Sequence, residues 1–267
     1  MIDLAITITT FSMMVMLFKY FDKIRVNNLI AITFNYFTAG TLALSSYLLE
    51  NSFIELKTNT NLNLVIIALI IGTLFVITFN LYAYSAQKIG ITLSTISNKM
   101  SMVIPILIGI ILFKEEVTFF KIIGIFLALG AIVFSSKEDK KSKKLSQLNI
   151  IILFLLFIGQ GLADGLLNWG QRNILNSQNM NIFFTLTFLS AGFAGGLYSF
   201  FKIKTANLKM DKKSIFWGII LGIPNYLTLL YFIKSLKSEL FSSYQVFPIV
   251  NIGVIVLCTI LSVILFQ

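Results

Sequence analysis

Two charged side chains, Lys99 and Asp164, stand inside otherwise apolar runs of this sequence. Amides and hydroxyls recur near them at helical spacing. Gln160, Asp164, Asn168 and Gln171 fall at i, i+4, i+8 and i+11, which is one face of a helix. Ser94, Asn98, Ser101 and Pro105 form a second stripe at i, i+4, i+7 and i+11, and Asn80, Tyr84 and Gln87 a third. Asn225 follows Pro224, while Tyr244, Gln245 and Asn251 lie in the last apolar run. In hydrocarbon such groups are costly unless they face a protein interior or a watery cavity. Stripes converging from different helices would line one central cavity, with irregular helix near Pro105 and Pro224 offering backbone carbonyls. The chemistry of such a site is solute binding through hydrogen bonds and charge. Its candidate residues are Asn80, Tyr84, Asn98, Lys99, Gln160, Asp164, Asn168, Asn225, Tyr244 and Asn251. The competing use of any one of them is interhelical hydrogen bonding, worth about 0.6–2 kcal/mol per bond.

Lys99 lies nine residues past Gly90, hence about 14 Å into its helix at a rise of 1.5 Å per residue. It is one step of about 100° off the Asn98 stripe, so it either enters the cavity or snorkels to the surface. Asp164 is expected nearer the opposite membrane face, which argues against a direct ion pair and for two charged ends of one cavity. That arrangement suits a zwitterionic or anionic solute. Asp164 is the better candidate for a coupling proton, because dry surroundings in general favour the neutral form of a carboxyl group.

Other chemistries lack their residues. The chain has no histidine and one cysteine, Cys258, in an apolar run. An internal disulfide is thereby excluded, and neither the usual zinc sites nor histidine acid–base catalysis has its ligands. No glycine-rich phosphate loop, nucleophile with a base, or pair of carboxylates at glycosidase-like spacing is found, so neither a cofactor nor an enzymatic activity is expected. The net charge of +10 does not imply nucleic acid, since the lysines sit at helix ends without an aromatic-studded basic groove.

The elements that must carry these residues are membrane helices. Hydrophobic residues make up 57% of the chain, charged ones 12%, and mean hydropathy is +0.89, the composition of a polytopic all-α membrane protein. Nine apolar runs have the length that crosses a bilayer core. They are Leu4–Tyr20, Leu29–Leu49, Leu62–Ser85, Gly90–Phe113, Phe119–Ser135, Leu148–Asn168, Ile182–Phe201, Ile215–Ile233 and Leu240–Phe266. The first lacks a basic leader and a small-residue cleavage site, so it reads as a retained helix. The glycine pairs Gly161/Gly165, Gly192/Gly196 and Gly218/Gly222 read as seams where backbones approach within the bundle, with homodimerisation as their alternative use.

Fourteen lysines and arginines occupy the connectors after the first, third, fifth and seventh runs, against six in the alternate connectors. The positive-inside rule puts the richer set in the cytoplasm and the N-terminus outside. A cysteine introduced at Ser142 should then react with an impermeant reagent only from the cytoplasmic side; labelling from outside would reverse this orientation.

A slide of 153 residues lays Ser97–Phe113 on Val250–Phe266, matching Asn98 with Asn251 and Val103 with Val256. The lysine-rich stretch 137–147 separates a first unit, 1–136, from a second, 148–267. A unit with an odd number of helices re-enters from the opposite side when repeated, giving an inverted repeat. The same slide sets Phe266 and Gln267 on Phe113 and Lys114. The second unit is therefore expected to hold four helices where the first holds five, with no tenth helix, as in a truncated ten-helix protein.

The mid-helix Pro105, the acidic turn at Glu115 and Glu116, and the Gly124/Gly130 helix after them resemble the drug/metabolite transporter superfamily. The EamA-type branch is the nearest likeness. That resemblance implies a multi-pass permease of the bacterial inner membrane, working by alternating access on small polar metabolites such as amino acids, with export the expected direction. Coupling would be to a proton or a substrate gradient, since nothing here resembles an ATP-binding element. The first helix lacks the membrane glutamate of the small multidrug-resistance relatives, so their drug–proton exchange does not carry over. Ten-helix members are usually drawn with the N-terminus inside, against the charge count. A membrane scaffold or sensor, or an intramembrane enzyme, are the alternative functions.

Overall fold

A computed structural model describes residues 1–50, 61–113, 146–176, 179–206, 210–236 and 243–266, with isolated helical positions at 119, 123 and 127. The expected fifth span Phe119–Ser135, the acidic turn and most of the lysine-rich stretch lie outside the described residues. All described elements are helices: α1 Ile2–Ile24, α2 Asn28–Glu50, α3 Leu62–Lys88, α4 Ile91–Met100, α5 Val103–Phe113, α6 Gln147–Asn173, α7 Met180–Ala206, α8 Lys212–Leu236 and α9 Ser243–Phe266. Eight spans among them are long and apolar enough to cross a membrane, with α4 and α5 contributing to one.

Several helices outrun their apolar stretches; α6 and α7 each have 27 residues. That is about 40 Å of helix against a hydrocarbon core of about 30 Å. Hydropathy marks only the part in hydrocarbon, whereas the helical hydrogen-bond ladder continues through the headgroup zone. Local chemistry sets the ends. Asn61 Oδ1 accepts from the Leu64 amide at 2.8 Å, Ser146 Oγ from Asn149 at 3.2 Å, and Asp211 Oδ2 from Ser214 at 3.0 Å, each satisfying an orphan donor of a first turn. Gly90, at φ 136°, joins α3 to α4 in a conformation open to glycine and few others.

The span from Ile91 to Phe113 is broken. Pro105 has no amide hydrogen, so the Ser101 carbonyl cannot receive its i+4 bond, and it takes Ile104 N at 2.9 Å instead. Ser101 Oγ donates to the Asn98 carbonyl. α4 therefore ends at Met100 and α5 begins at Val103, one turn apart.

α2 is flanked by α7 and α8, and α7 also packs on α3. α1 lies against α8 and α9, α6 against α3, α4 and α5, and α4 against α9. Lipid is as apolar as leucine, so these contacts are held by close packing and local hydrogen bonds rather than by exclusion of water. Glycines mark the tightest crossings. Gly218 and Gly222 face the Ala31 and Asn35 carbonyls of α2, Gly72 faces Ser190 and Thr187 of α7, and Gly161 and Gly165 receive Ile104 and Ile108 of α5. Ser190 Oγ also reaches the Ala68 carbonyl across the α3–α7 seam, at 3.2 Å.

The end of the bundle carrying the lysine-rich connectors is tied together by polar bonds. Asn28 and Gln87 exchange amide hydrogen bonds at 2.8 and 2.9 Å, and Gln87 Nε2 donates to the Phe18 carbonyl at 2.7 Å. Lys19 Nζ donates to the Gln87 carbonyl, and Lys88 pairs with Asp22 at 3.2 Å. Gln87, the last member of the α3 stripe, is thus committed to this end rather than to a solute.

Candidate functional site

A cavity of about 120 Å³ lies between the helices, with room for several waters or a small metabolite. α1 lines it with Thr7, Phe11 and Met14, α3 with Phe75 and Phe79, and α7 with Phe188. α4 and α5 present Lys99 and Pro105, with Met102 from the break between them. α6 contributes Gln160, Asp164, Leu167 and Asn168, α8 Asn225, Thr228, Leu229 and Phe232, and α9 Val250 and Asn251. Lys99 and Asp164 are the charged side chains among these lining residues.

The α6 stripe does what its spacing predicts. Gln160, Asp164 and Asn168 lie four residues apart, so each points to the same wall. Gln160 Nε2 donates to Asp164 Oδ1 at 2.9 Å. Gln171 lies outside the described side chains.

Lys99 enters the cavity and does not snorkel. Its Nζ stands 3.3 Å from the centroid of the Phe11 ring, a cation–π contact worth about 2 kcal/mol when desolvated. Asn98, one step round the helix, does not reach the cavity. It is 3% exposed and donates from Nδ2 to Gln160 Oε1 at 3.2 Å. Its Oδ1 has no partner among the described residues; an orphaned buried acceptor of this kind costs about 1–3 kcal/mol. Ser97 Oγ, beside it, donates to the Leu153 carbonyl of α6 at 2.7 Å, while Ser94 and Ser101 are buried and bond to the Gly90 and Asn98 carbonyls of their own segment. Small hydroxyl residues let α4 approach α6 closely, and Pro105 alone of the stripe reaches the cavity.

Two expected residues fall elsewhere. Asn80 Nδ2 donates to the Val76 carbonyl of its own helix at 2.8 Å, and Tyr84 is 40% exposed. α3 offers the neighbouring face, Phe75 and Phe79, to the cavity instead, because about 100° separates Phe79 from Asn80. Tyr244 and Gln245 lie in α9, but their side chains are outside those described.

Asn225 and Asn251 do line the cavity. Asn225 Nδ2 donates to Asn35 Oδ1 of α2 at 3.1 Å, and Asn251 Nδ2 lies 3.1 Å from Met102 Sδ at the helix break. Thr228 Oγ1 stands 2.8 Å from Thr10 Oγ1 and 2.7 Å from the Pro224 carbonyl. Sequence reasoning missed five phenylalanines, Phe11, Phe75, Phe79, Phe188 and Phe232, having assigned such residues to lipid. On α1 a signal was present: Thr7, Phe11 and Met14 fall at i, i+4 and i+7, a face continuous with the cavity.

The whole is a pocket between the helices with a cation and an anion on separate helices, several amides and aromatic walls. Its lining offers hydrogen-bonding and charged groups suited to a small polar solute. The model of one family, EamA-like transporter, matches residues 2–137. The chain belongs to the EamA-like transporter family. Membership makes this a multi-pass membrane protein of the drug/metabolite transporter type. The chain is also 28% identical, over 246 residues covering 89% of it and 80% of the other, to an uncharacterized protein of Haemophilus influenzae. No solved structure matches the chain.

Proposed function

We propose that this EamA-like protein is a secondary active transporter that moves a small polar metabolite, such as an amino acid, across the bacterial inner membrane by alternating access, with export the expected direction. The observation that carries this reading is the cavity between the helices with Lys99 on one wall and Asp164 on another. Opposite charges set apart in a dry pocket complement a zwitterion, or an anion accompanied by a proton, better than an uncharged solute.

The helix neighbours support an inverted repeat, which suits this mechanism. Exchanging α1 with α6, α2 with α7, α3 with α8 and the α4–α5 span with α9 carries the main helix neighbours onto one another. The α2–α8 contact becomes α7–α3, α1–α8 becomes α6–α3, and α1–α9 becomes α6 with α4–α5. Two halves related in this way can rock about a central site with little change to either. The family match also ends at residue 137, beside the expected unit boundary.

The test is a panel of amino acids and other small polar metabolites offered to proteoliposomes. At least one should show saturable counterflow, accelerated by unlabelled solute on the opposite side. Absence of flux and counterflow across the panel in correctly inserted protein would sink the carrier reading in favour of a scaffold or sensor.

A further inference from the structure

We propose that Asn98 and Gln160 are positioning residues that let Asp164 exchange a proton without losing its hydrogen bonds. The proposal deepens the carrier reading by placing its coupling proton, and rests on that reading for the use of the site.

The three side chains form a chain of fixed polarity. Asn98 Nδ2 donates to Gln160 Oε1, and Gln160 Nε2 donates to Asp164 Oδ1. This polarity serves a carboxylate, which only accepts. A carboxylic acid at Asp164 needs an acceptor for its new O–H. A primary amide supplies one by rotating half a turn, which exchanges its oxygen and nitrogen. Gln160 then accepts from the Asp164 O–H through Oε1 and presents Nε2 to Asn98. Asn98 must turn as well and accept through Oδ1. The proton is added to Asp164, no bond breaks except hydrogen bonds, and two hydrogen bonds join the three groups in either state.

What makes this reversal available is that nothing else among the described residues pins it. Asn98 Oδ1, buried in the α4–α6 seam, has no partner there in the present orientation. Turning that amide therefore forfeits no bond outside the chain itself. Gln160 is held by the two bonds of the chain. Were Asn98 Oδ1 bonded to a fixed donor, the polarity would be locked and Gln160 could not accept from the O–H of a protonated Asp164.

The charged surroundings are simple. α6 packs on α3, α4 and α5; α3 and α5 bring no charged or titratable side chain to the cavity lining, and α4 brings Lys99. α1, α7, α8 and α9 add none to that lining. With Asp164 ionised the two charges cancel, and protonation leaves one net positive charge in the pocket. Asn98 also stands on the last turn before the break between α4 and α5, its carbonyl taking the Ser101 hydroxyl. The polarity of the chain is thus presented next to the weakest point of that span.

The proton itself is the probe. Infrared difference spectra of the reconstituted full chain between acidic and alkaline buffer, in water and in deuterium oxide, should contain a carboxylic C=O stretch that disappears in Asp164→Asn. That band should move to higher wavenumber in Gln160→Met, where its acceptor is lost, and move less in Asn98→Leu, where Gln160 loses its partner. Asn225→Ala, on another wall, should leave the band in place. If Gln160→Met does not fold, Asn98→Leu alone decides. No Asp164-dependent band at any accessible pH, or a band unmoved by the substitutions that fold, overturns the proposal. Counterflow surviving that outcome would leave the carrier reading intact with coupling to a substrate gradient, whereas a shifting band without any flux would count against the carrier alone.

Discussion

Asp164→Asn is expected to lower solute counterflow by about 30-fold or more while leaving the protein inserted and monodisperse. Asparagine has nearly the shape of aspartate and can still accept from Gln160, so the α6 wall keeps its hydrogen bond. What disappears is the single anion of the cavity lining. Truncating one partner of a desolvated charge arrangement costs about 2–5 kcal/mol, and the lower bound already corresponds to about 30-fold. Lys99→Met should lose as much, since its ammonium is turned inward over Phe11. The double variant removes both charges, so its thermal stability should exceed that of either single variant although transport stays low; a cycle of the four proteins isolates that coupling. Asn98→Ala and Asn251→Ala should be impaired as well, the first through Gln160 and the second at the cavity wall. Wild-type counterflow in a folded Asp164→Asn protein would place the binding site elsewhere.

The second large effect concerns assembly. Gly222→Val should lower the melting temperature in detergent by about 2–12 °C, because overpacking costs about 1–3 kcal/mol and each kcal/mol shifts a protein of this size by about 2–4 °C. A Cβ at Gly222 would stand 2.5 Å from Thr38 Cβ and 2.7 Å from the Asn35 carbonyl. One of those atoms is backbone, so the clash is relieved only by separating α2 from α8. Separation would also stretch the Asn225–Asn35 bond, 3.1 Å in the intact bundle. Gly196→Ala is the informative contrast. Its Cβ would meet Phe37 and Thr33 at 3.9 Å, an ordinary contact, and its melting temperature should stay within about 2 °C of the parent. Equal effects at the two glycines would show that the α2–α8 seam is not the close crossing described.

Charge placement, span lengths and the α6 stripe are local properties, and the sequence by itself determined them. A run of apolar residues must be helical in lipid because every backbone donor needs a partner within its own segment. Basic residues gather at one end for a reason that operates before the fold exists. Four-residue spacing on an unbroken helix fixes a common face, so Gln160, Asp164 and Asn168 share a wall wherever α6 is put. Family membership, too, was legible in Pro105 and the segments around it.

Only the tertiary structure decided which face of each helix meets the cavity. On α3 the amide face and the aromatic face are one residue apart, and local pattern cannot rank them; packing against α7 and α6 sends Phe75 and Phe79 inward and leaves Tyr84 exposed. On α4 the hydroxyl stripe was legible, but its smallness, not its polarity, set its place against α6. Lys99 was then left as the residue facing the cavity. The choice between entering the cavity and snorkelling was settled by Phe11, 88 positions earlier in the chain, whose ring offers the ammonium a partner that no neighbour in sequence supplies. The aromatic walls stayed hidden for the same reason. Phenylalanine is equally stable against lipid and inside a bundle, so its burial is a property of the neighbours it acquires and not of its own position in the sequence.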